Sequence, residues 1–223
     1  MNEPTHLTRQ GGVGTLVRVL TQYTRTVTFK TMRTFLITST LLLATPAIAQ
    51  DCEAMTRAQM VMVDWPVPMR QTITTSVAGN EFKGTALSTG ANRAMYMDAD
   101  GKRQSLSLDE RFYSTADGET WVLVRTYTPE EMQKRADDLA TQAKIATEIS
   151  CEFDIELDGK TVHRLNAKTV LQNGGQEYAV SYWVDAGDGF PWRIETEFIA
   201  ATITRTTQEN EPAPSITLPD PER

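Results

Sequence analysis

The stretch TPEEMQKRADDLATQAKIATEISCEFDIELDG, residues 128–159, changes its period halfway along. Its first part opens with Thr128-Pro129-Glu130-Glu131, a capping box with proline at the first helical position. Met132, Ala136, Leu139, Ala143 and Ala146 then recur at helical spacing, and Glu130–Lys134 and Glu131–Arg135 are spaced as i,i+4 ion pairs. The second part has period two. Phe153, Ile155 and Leu157 alternate with Glu152, Asp154, Glu156 and Asp158, and Asp158-Gly159 supplies a tight turn. A helix with a narrow stripe of small residues, followed by a half-buried strand, predicts a helix lying across one face of an antiparallel sheet.

Outward from this point the strand pattern repeats. Downstream, Thr161–Leu171, Tyr178–Asp185 and Trp192–Thr206 read as strands, separated by Asn173-Gly174-Gly175 and Ala186-Gly187-Asp188-Gly189. Tyr178, Val180, Tyr182 and Val184 are predicted to share a face, as are Trp192, Ile194, Thr196 and Phe198. Upstream, Thr72–Val77, Glu81–Leu87, Arg93–Met97, Gln104–Leu108 and Glu119–Tyr127 alternate between turns such as Asp98-Ala99-Asp100-Gly101 and Ala116-Asp117-Gly118. Ahead of them Cys52–Trp65 reads as a helix with Ala54, Met55, Ala58 and Met62 on one side, stopped by Pro66 and Pro68. The fold class is α+β: one curved antiparallel sheet, a half-barrel, with helices covering its concave face. From Gln208 four prolines and several acids follow with little to bury, so 208–223 is expected to be a disordered tail.

The first fifty residues have another composition. Met32-Arg33, an apolar run from Phe35 to Ala44, Pro46 and then Ala47-Ile48-Ala49 are the basic, apolar and cleavage segments of a secretory signal, cut after Ala49. The run is shorter than the ~20 residues that span a hydrocarbon core. Residues 1–31 are expected to be a miscalled extension, 32–49 the signal peptide, and 50–207 a single half-barrel domain in the periplasm, not membrane-spanning. Residues 1–49 hold five basic side chains against Glu3, so the remainder carries 17 basic and 28 acidic groups, a net −11. That charge argues against a nucleic-acid partner, whose binding rests on neutralising phosphates. Cys52 is preceded by Gln50-Asp51 and not by the small residue a lipid-attachment signal requires. With Cys151 it makes an even pair in an oxidising compartment, which favours a disulfide worth roughly 2–4 kcal/mol over two buried thiols.

Motifs for chemistry are sparse. His163 is the one histidine beyond the leader, no G-x-S-x-G occurs, and no CxxC spacing exists, so no catalytic residue, metal ligand or cofactor is assigned. Asp98-Ala99-Asp100-Gly101 fails as a calcium loop because Tyr96 and Ser107 fall where acids are needed. Glu152, Asp154, Glu156 and Asp158 form a carboxylate row on one strand face, which reads as a solvated surface. The apolar inventory is soft: seven methionines and all four tryptophans lie beyond the leader, a composition that reads first as ordinary core filler and second as an adaptable apolar cleft.

Two segments carry a family resemblance. Asp117-Gly118-Glu119-Thr120-Trp121 resembles the "dG-x-x-W" hairpin of the periplasmic lipoprotein carriers and outer-membrane lipoprotein-sorting proteins. Tyr182-Trp183-Val184-Asp185 through Gly189-Phe190-Pro191-Trp192-Arg193-Ile194 is similar to their late strand-turn-strand. The resemblance implies a strongly curved sheet whose cavity takes acyl chains, or a related scaffold serving as an interaction module. The expected function is non-enzymatic binding of an apolar ligand, a lipid or lipoprotein acyl chain. The alternative is an envelope protein-interaction module with a filled core and no ligand. Lining residues are expected at Ile73, Met95, Met97, Leu106, Leu108, Trp121, Leu123, Tyr182, Trp192, Ile194 and Phe198, with Met132 and Leu139 on the covering helix.

Overall fold

Two meanders of the chain meet in the middle of one open antiparallel sheet. The computed structural model describes residues 51–62, 67–90, 92–171, 175–200 and 202–222. Residues 1–50 with the expected signal segment, the helix end expected at Trp65-Pro66 and the turn expected at Asn173-Gly174 lie outside these residues. Helix α1 (Cys52–Val61) precedes β1 (Met69–Val77), β2 (Asn80–Gly90), β3 (Arg93–Asp98), β4 (Arg103–Leu108), β5 (Arg111–Ser114) and β6 (Val122–Thr126). Helix α2 (Pro129–Ile145) then carries the chain to the other edge, where β7 (Thr147–Leu157), β8 (Lys160–Val170), β9 (Glu177–Asp185), β10 (Pro191–Phe198) and β11 (Thr204–Pro212) follow. The strand order is β6-β5-β4-β3-β2-β1-β11-β10-β9-β8-β7, so the first and last strands pair at the centre.

Local chemistry explains the elements. Asp51 caps α1 by accepting from the Ala54 amide at 3.0 Å. Thr128 and Glu131 form both bonds of the predicted capping box on α2, with Pro129 in its first turn. The β7–β8 hairpin turns at Asp158 and Gly159, both at positive φ, the geometry that matches the twist of the paired strands. Gly84 in β2 lies under the Tyr96 ring, where an added Cβ would come within 2.3 Å of the phenol oxygen.

Paired residues in a ladder point to the same side, so the register assigns every strand a face. Leu165 in β8, Tyr182 in β9, Ile194 in β10, Gln208 in β11 and Ile73 in β1 are successive partners, and they share the side on which the helices lie. Leu106 in β4, Met95 in β3, Leu87 in β2, Arg70 in β1 and Glu211 in β11 are likewise successive partners, on the far side. The two cores therefore lie on opposite faces. On the helix side Met60, Ala143, Ala146, Ala167 and Val180 are buried together, with Ile149, Tyr178, Tyr182 and Ile194 against them. On the far side Met95, Leu106 and Tyr113 are buried under Leu87, Met97, Leu108, Trp121 and Leu218. Between the cores the central strands are polar: Thr75 meets Thr206 with hydroxyls 3.3 Å apart, and buried Asn210 donates to the Pro191 carbonyl and accepts from Gln71.

The far side of β7–β11 is a charged surface. Arg164 pairs with Glu152 at 3.3 Å, Arg193 with Glu209 at 3.0 Å, and Arg205 with Glu197. The guanidinium groups of Arg164 and Arg193 lie 5.1 and 5.8 Å from the Trp183 ring centre, within cation–π range.

Several expectations are corrected. The segment from 208 is not a disordered tail: β11 runs to Pro212 at the sheet centre, and its backbone ladder with β1 and β10 replaces the apolar burial its side chains lack. The strand drawn over Trp192–Thr206 is two strands, and short β5 joins the upstream set. The buried residues of α1 are Thr56, Gln59 and Met60, because the disulfide turns that face toward β7: Thr56 Oγ1 donates to the Cys52 carbonyl and lies 3.6 Å from Cys151 Sγ. Glu131 pairs with Arg125 and Lys134 with Asp138, in place of the two expected pairs. The carboxylates of β7 do not form one row. A bulge with Asp154 at φ 54° puts Glu152 opposite Arg164 and Ile155 opposite Val162, two residues of one face, so the strand changes sides between them.

Candidate functional site

The helix side is built around three attachments. Cys52 and Cys151 form a disulfide with Cα atoms 5.8 Å apart, fixing the start of α1 on β7. Arg57 on α1 donates to the carbonyls of Ala143, Lys144 (2.8 Å) and Ala146 (3.3 Å), orphan acceptors at the end of α2, and pairs with Glu53 at 2.8 Å. The Gln142 carbonyl of α2 accepts from Thr169 Oγ1 of β8, and its side-chain oxygen accepts from the Tyr178 hydroxyl of β9, both at 2.8 Å. At its other end α2 is tied to β6 through Arg125–Glu131, while Tyr127, stacked between Arg125 and Arg135, donates its amide to the Glu110 carbonyl at 2.8 Å.

The expected lining residues divide between the two faces. Ile73, Tyr182, Ile194 and Phe198 lie on the helix side, all half-buried, and Met132 and Leu139 are half-buried on α2. Met95, Met97, Leu106, Leu108 and Trp121 belong to the far-side core. Leu123, opposite Tyr113, is also on the far side and is 51% exposed. Trp192 does not share the face of Ile194. The ladder shifts register between Pro191 and Arg193, and the indole donates to Asp185 Oδ2 at 3.1 Å while Lys160 sits 4.4 Å from the ring centre. Asp185 and Lys160 are on the far side with Val162 and Leu157. One continuous lining of all thirteen residues is therefore ruled out by register.

Clefts flank the helices. One of about 720 Å³ opens at the first turn of α2, lined by Asn92, Asp109, Glu110, Thr126, Tyr127, Thr128, Pro129 and Met132. Its size lies within the 300–1,000 Å³ range typical of small-ligand sites, and sequence reading reached only Met132 among its walls. A second, of about 540 Å³, lies between α1 and α2 along Ala58, Val61, Ala140 and Ala143. On the strands beneath, burial pushes the phenols of Tyr182 and Tyr178 above the ordinary tyrosine range, so both stay neutral donors and acceptors. Tyr178 stacks with Phe198 at 5.6 Å between ring centres.

His163 is a packed residue: it is 2% exposed, its Nδ1 accepts from the Asp154 amide at 3.2 Å, and Phe153 meets it edge-on. Among the described residues no group of three His, Cys, Asp or Glu is placed to hold a metal ion, and no helix is long and apolar enough to cross a membrane.

No known family profile matches the sequence, and no characterised protein matches it by sequence. Solved structures do. The chain is similar to the lipoprotein LppX of Mycobacterium tuberculosis, with TM-score 0.49 and 8% identity over 75% of this chain and 96% of that one. It is similar to the MucA/MucB complex of Pseudomonas aeruginosa, with TM-score 0.41 and 15% identity over 74% of this chain and 59% of that one. It is also similar to a LolA superfamily protein of Nitrosomonas europaea, with TM-score 0.36 and 14% identity over 77% and 94%. These are likenesses of strand layout at low sequence identity.

Proposed function

We propose that this protein is an envelope carrier that holds an apolar ligand, a lipid or lipoprotein acyl chain, between α2 and the helix side of a curved sheet. The observation that carries the reading is a length. Tyr127 stands in line with β6, and the Gln142 carbonyl is bonded to β8. The helix between them rises about 20 Å, and two extended residues add about 7 Å. Strands β6 and β8 are nine steps apart in the sheet order, about 43 Å if the sheet were flat at ~4.8 Å per strand. A tether that short supports a sheet bent toward the helix side. Ile73, Tyr182, Ile194 and Phe198 are half-buried on that side of the sheet, Tyr182 and Ile194 against the helix-side core, while helix packing is concentrated on β7 and β8. Each half-exposed side chain that a ligand covers contributes about 25 cal/mol per Å² of apolar area removed from water.

Native mass spectrometry of the chain expressed with its leader and recovered from the envelope tests the reading. Co-purifying lipid that a fluorescent fatty acid displaces is the expected result. Lipid-free protein that binds no fatty acid but captures one stoichiometric envelope partner would favour the interaction module instead.

A further inference from the structure

Among the described residues no helix packs on the far-side core, yet Leu106 is fully buried and Met95 nearly so. Part of their cover is the chain's own end. Beyond β11, residues 213–222 form neither helix nor strand, and Leu218 packs against Met95, Leu106 and Tyr113. Two polar contacts bracket that insertion: the Ala213 amide donates to the Pro68 carbonyl at 2.7 Å, and Glu222 pairs with Arg111 of β5. The Ile216 and Glu222 amides bond within the tail, and Pro214, Pro219 and Pro221 have no amide to give a ladder. A proline-bearing segment outside helix and strand that inserts one apolar side chain and ends on an ion pair has the contact pattern of a bound peptide.

We propose that the far side of β2–β5 is a binding groove for an extended, proline-containing acidic peptide, and that residues 213–222 are its built-in occupant. The groove reads an apolar side chain at the Leu218 position and a carboxylate four residues later, held by Arg111. Tethering places the tail at an effective concentration of the order of millimolar, so it excludes partner segments of equal affinity that are present below that concentration. A partner presenting the same chemistry gains access when the tail is lifted. The site is independent of the helix-side cleft, on the other face of the sheet.

The test uses the full-length chain and a fluorescein-labelled peptide of residues 213–223. Leu218→Asp releases the tail and Glu222→Arg weakens its anchor. The peptide is expected to bind both variants at least about ten-fold more tightly than the wild type, with the larger gain for Leu218→Asp. A peptide carrying alanine at the Leu218 position is expected to lose about ten-fold or more. Concentration-dependent dimers that exchange tails would also support the groove. Equal peptide affinity for wild type and Glu222→Arg, whose exposed substitution leaves the fold intact, would overturn the proposal, as would indifference to the alanine peptide.

Discussion

The two halves of the sheet solve the same burial problem on opposite sides. Strands β7–β10 bury the face toward α1 and α2 and leave the other face to a lattice of Arg–Glu pairs around Trp183. Strands β2–β5 bury that other face, beneath Trp121 and the tail, and turn Ala94, Ser105 and Ser107 toward the helix side. The crossover falls at β1 and β11, where threonine, glutamine and asparagine prevail on the helix side, threonine, serine, arginine and glutamate on the far side, and backbone pairing does the joining. A sheet with one polar central zone can thus carry two cores on opposite faces.

The largest effects are expected from one leucine in each core. Leu106→Ala on the far side and Leu165→Ala on the helix side remove side chains that are 0% and 1% exposed, and each should cost about 2–5 kcal/mol. Urea unfolding followed by far-UV circular dichroism should give one cooperative transition for both; two transitions in either variant would show the halves to be separate folding units. Next is the disulfide, which lies in one half only. Cys52→Ser with Cys151→Ser should cost about 2–4 kcal/mol, with amide-exchange protection lost first in α1 and retained in β3–β5.

Each half also has a turn built on an aspartate. Asp117 accepts from Thr115 Oγ1 and the Glu119 and Thr120 amides, and Asp185 from the Gly187 amide and Trp192 Nε1. Backbone donors first, and side-chain donors after them, hold both carboxyls below the usual range. A depressed folded value means stability that is present above the unfolded value near 3.9 and is lost as pH falls below it. The urea midpoint should therefore drop below about pH 4, and Asp117→Asn or Asp185→Asn should each flatten that drop. The smallest effect belongs to the central zone: Thr75→Val with Thr206→Val replaces a hydroxyl pair by apolar isosteres and should shift stability by no more than about 0.5 kcal/mol.

Much of this architecture is legible in the amino-acid sequence. The capping box of α2, the Asp158-Gly159 turn and the alternation along β8 and β9 are local signals, and the cysteine pair is closed. Sidedness is not local. Alternation says that Met95 and Ile73 each point to a face, but only the ladder through β2 and β1 says that the faces differ. Bulges at Asp154 and at Pro191–Arg193 reset the alternation without leaving a mark in composition, so alternation alone misplaces the acidic row and Trp192. Strand β11 carries almost no apolar residue and is held by pairing with a strand some 130 positions earlier, which no window of sequence contains.

The proposed ligand site is tested most directly by placing a charge on each face. Ile73→Asp lies at the centre of the helix side, and Leu123→Asp at an exposed far-side position. In titration with a fluorescent fatty acid, Ile73→Asp is expected to weaken binding at least about ten-fold while Leu123→Asp leaves it unchanged. Equal loss in both variants, or undiminished binding in Ile73→Asp, would contradict a ligand site on the helix side of the sheet.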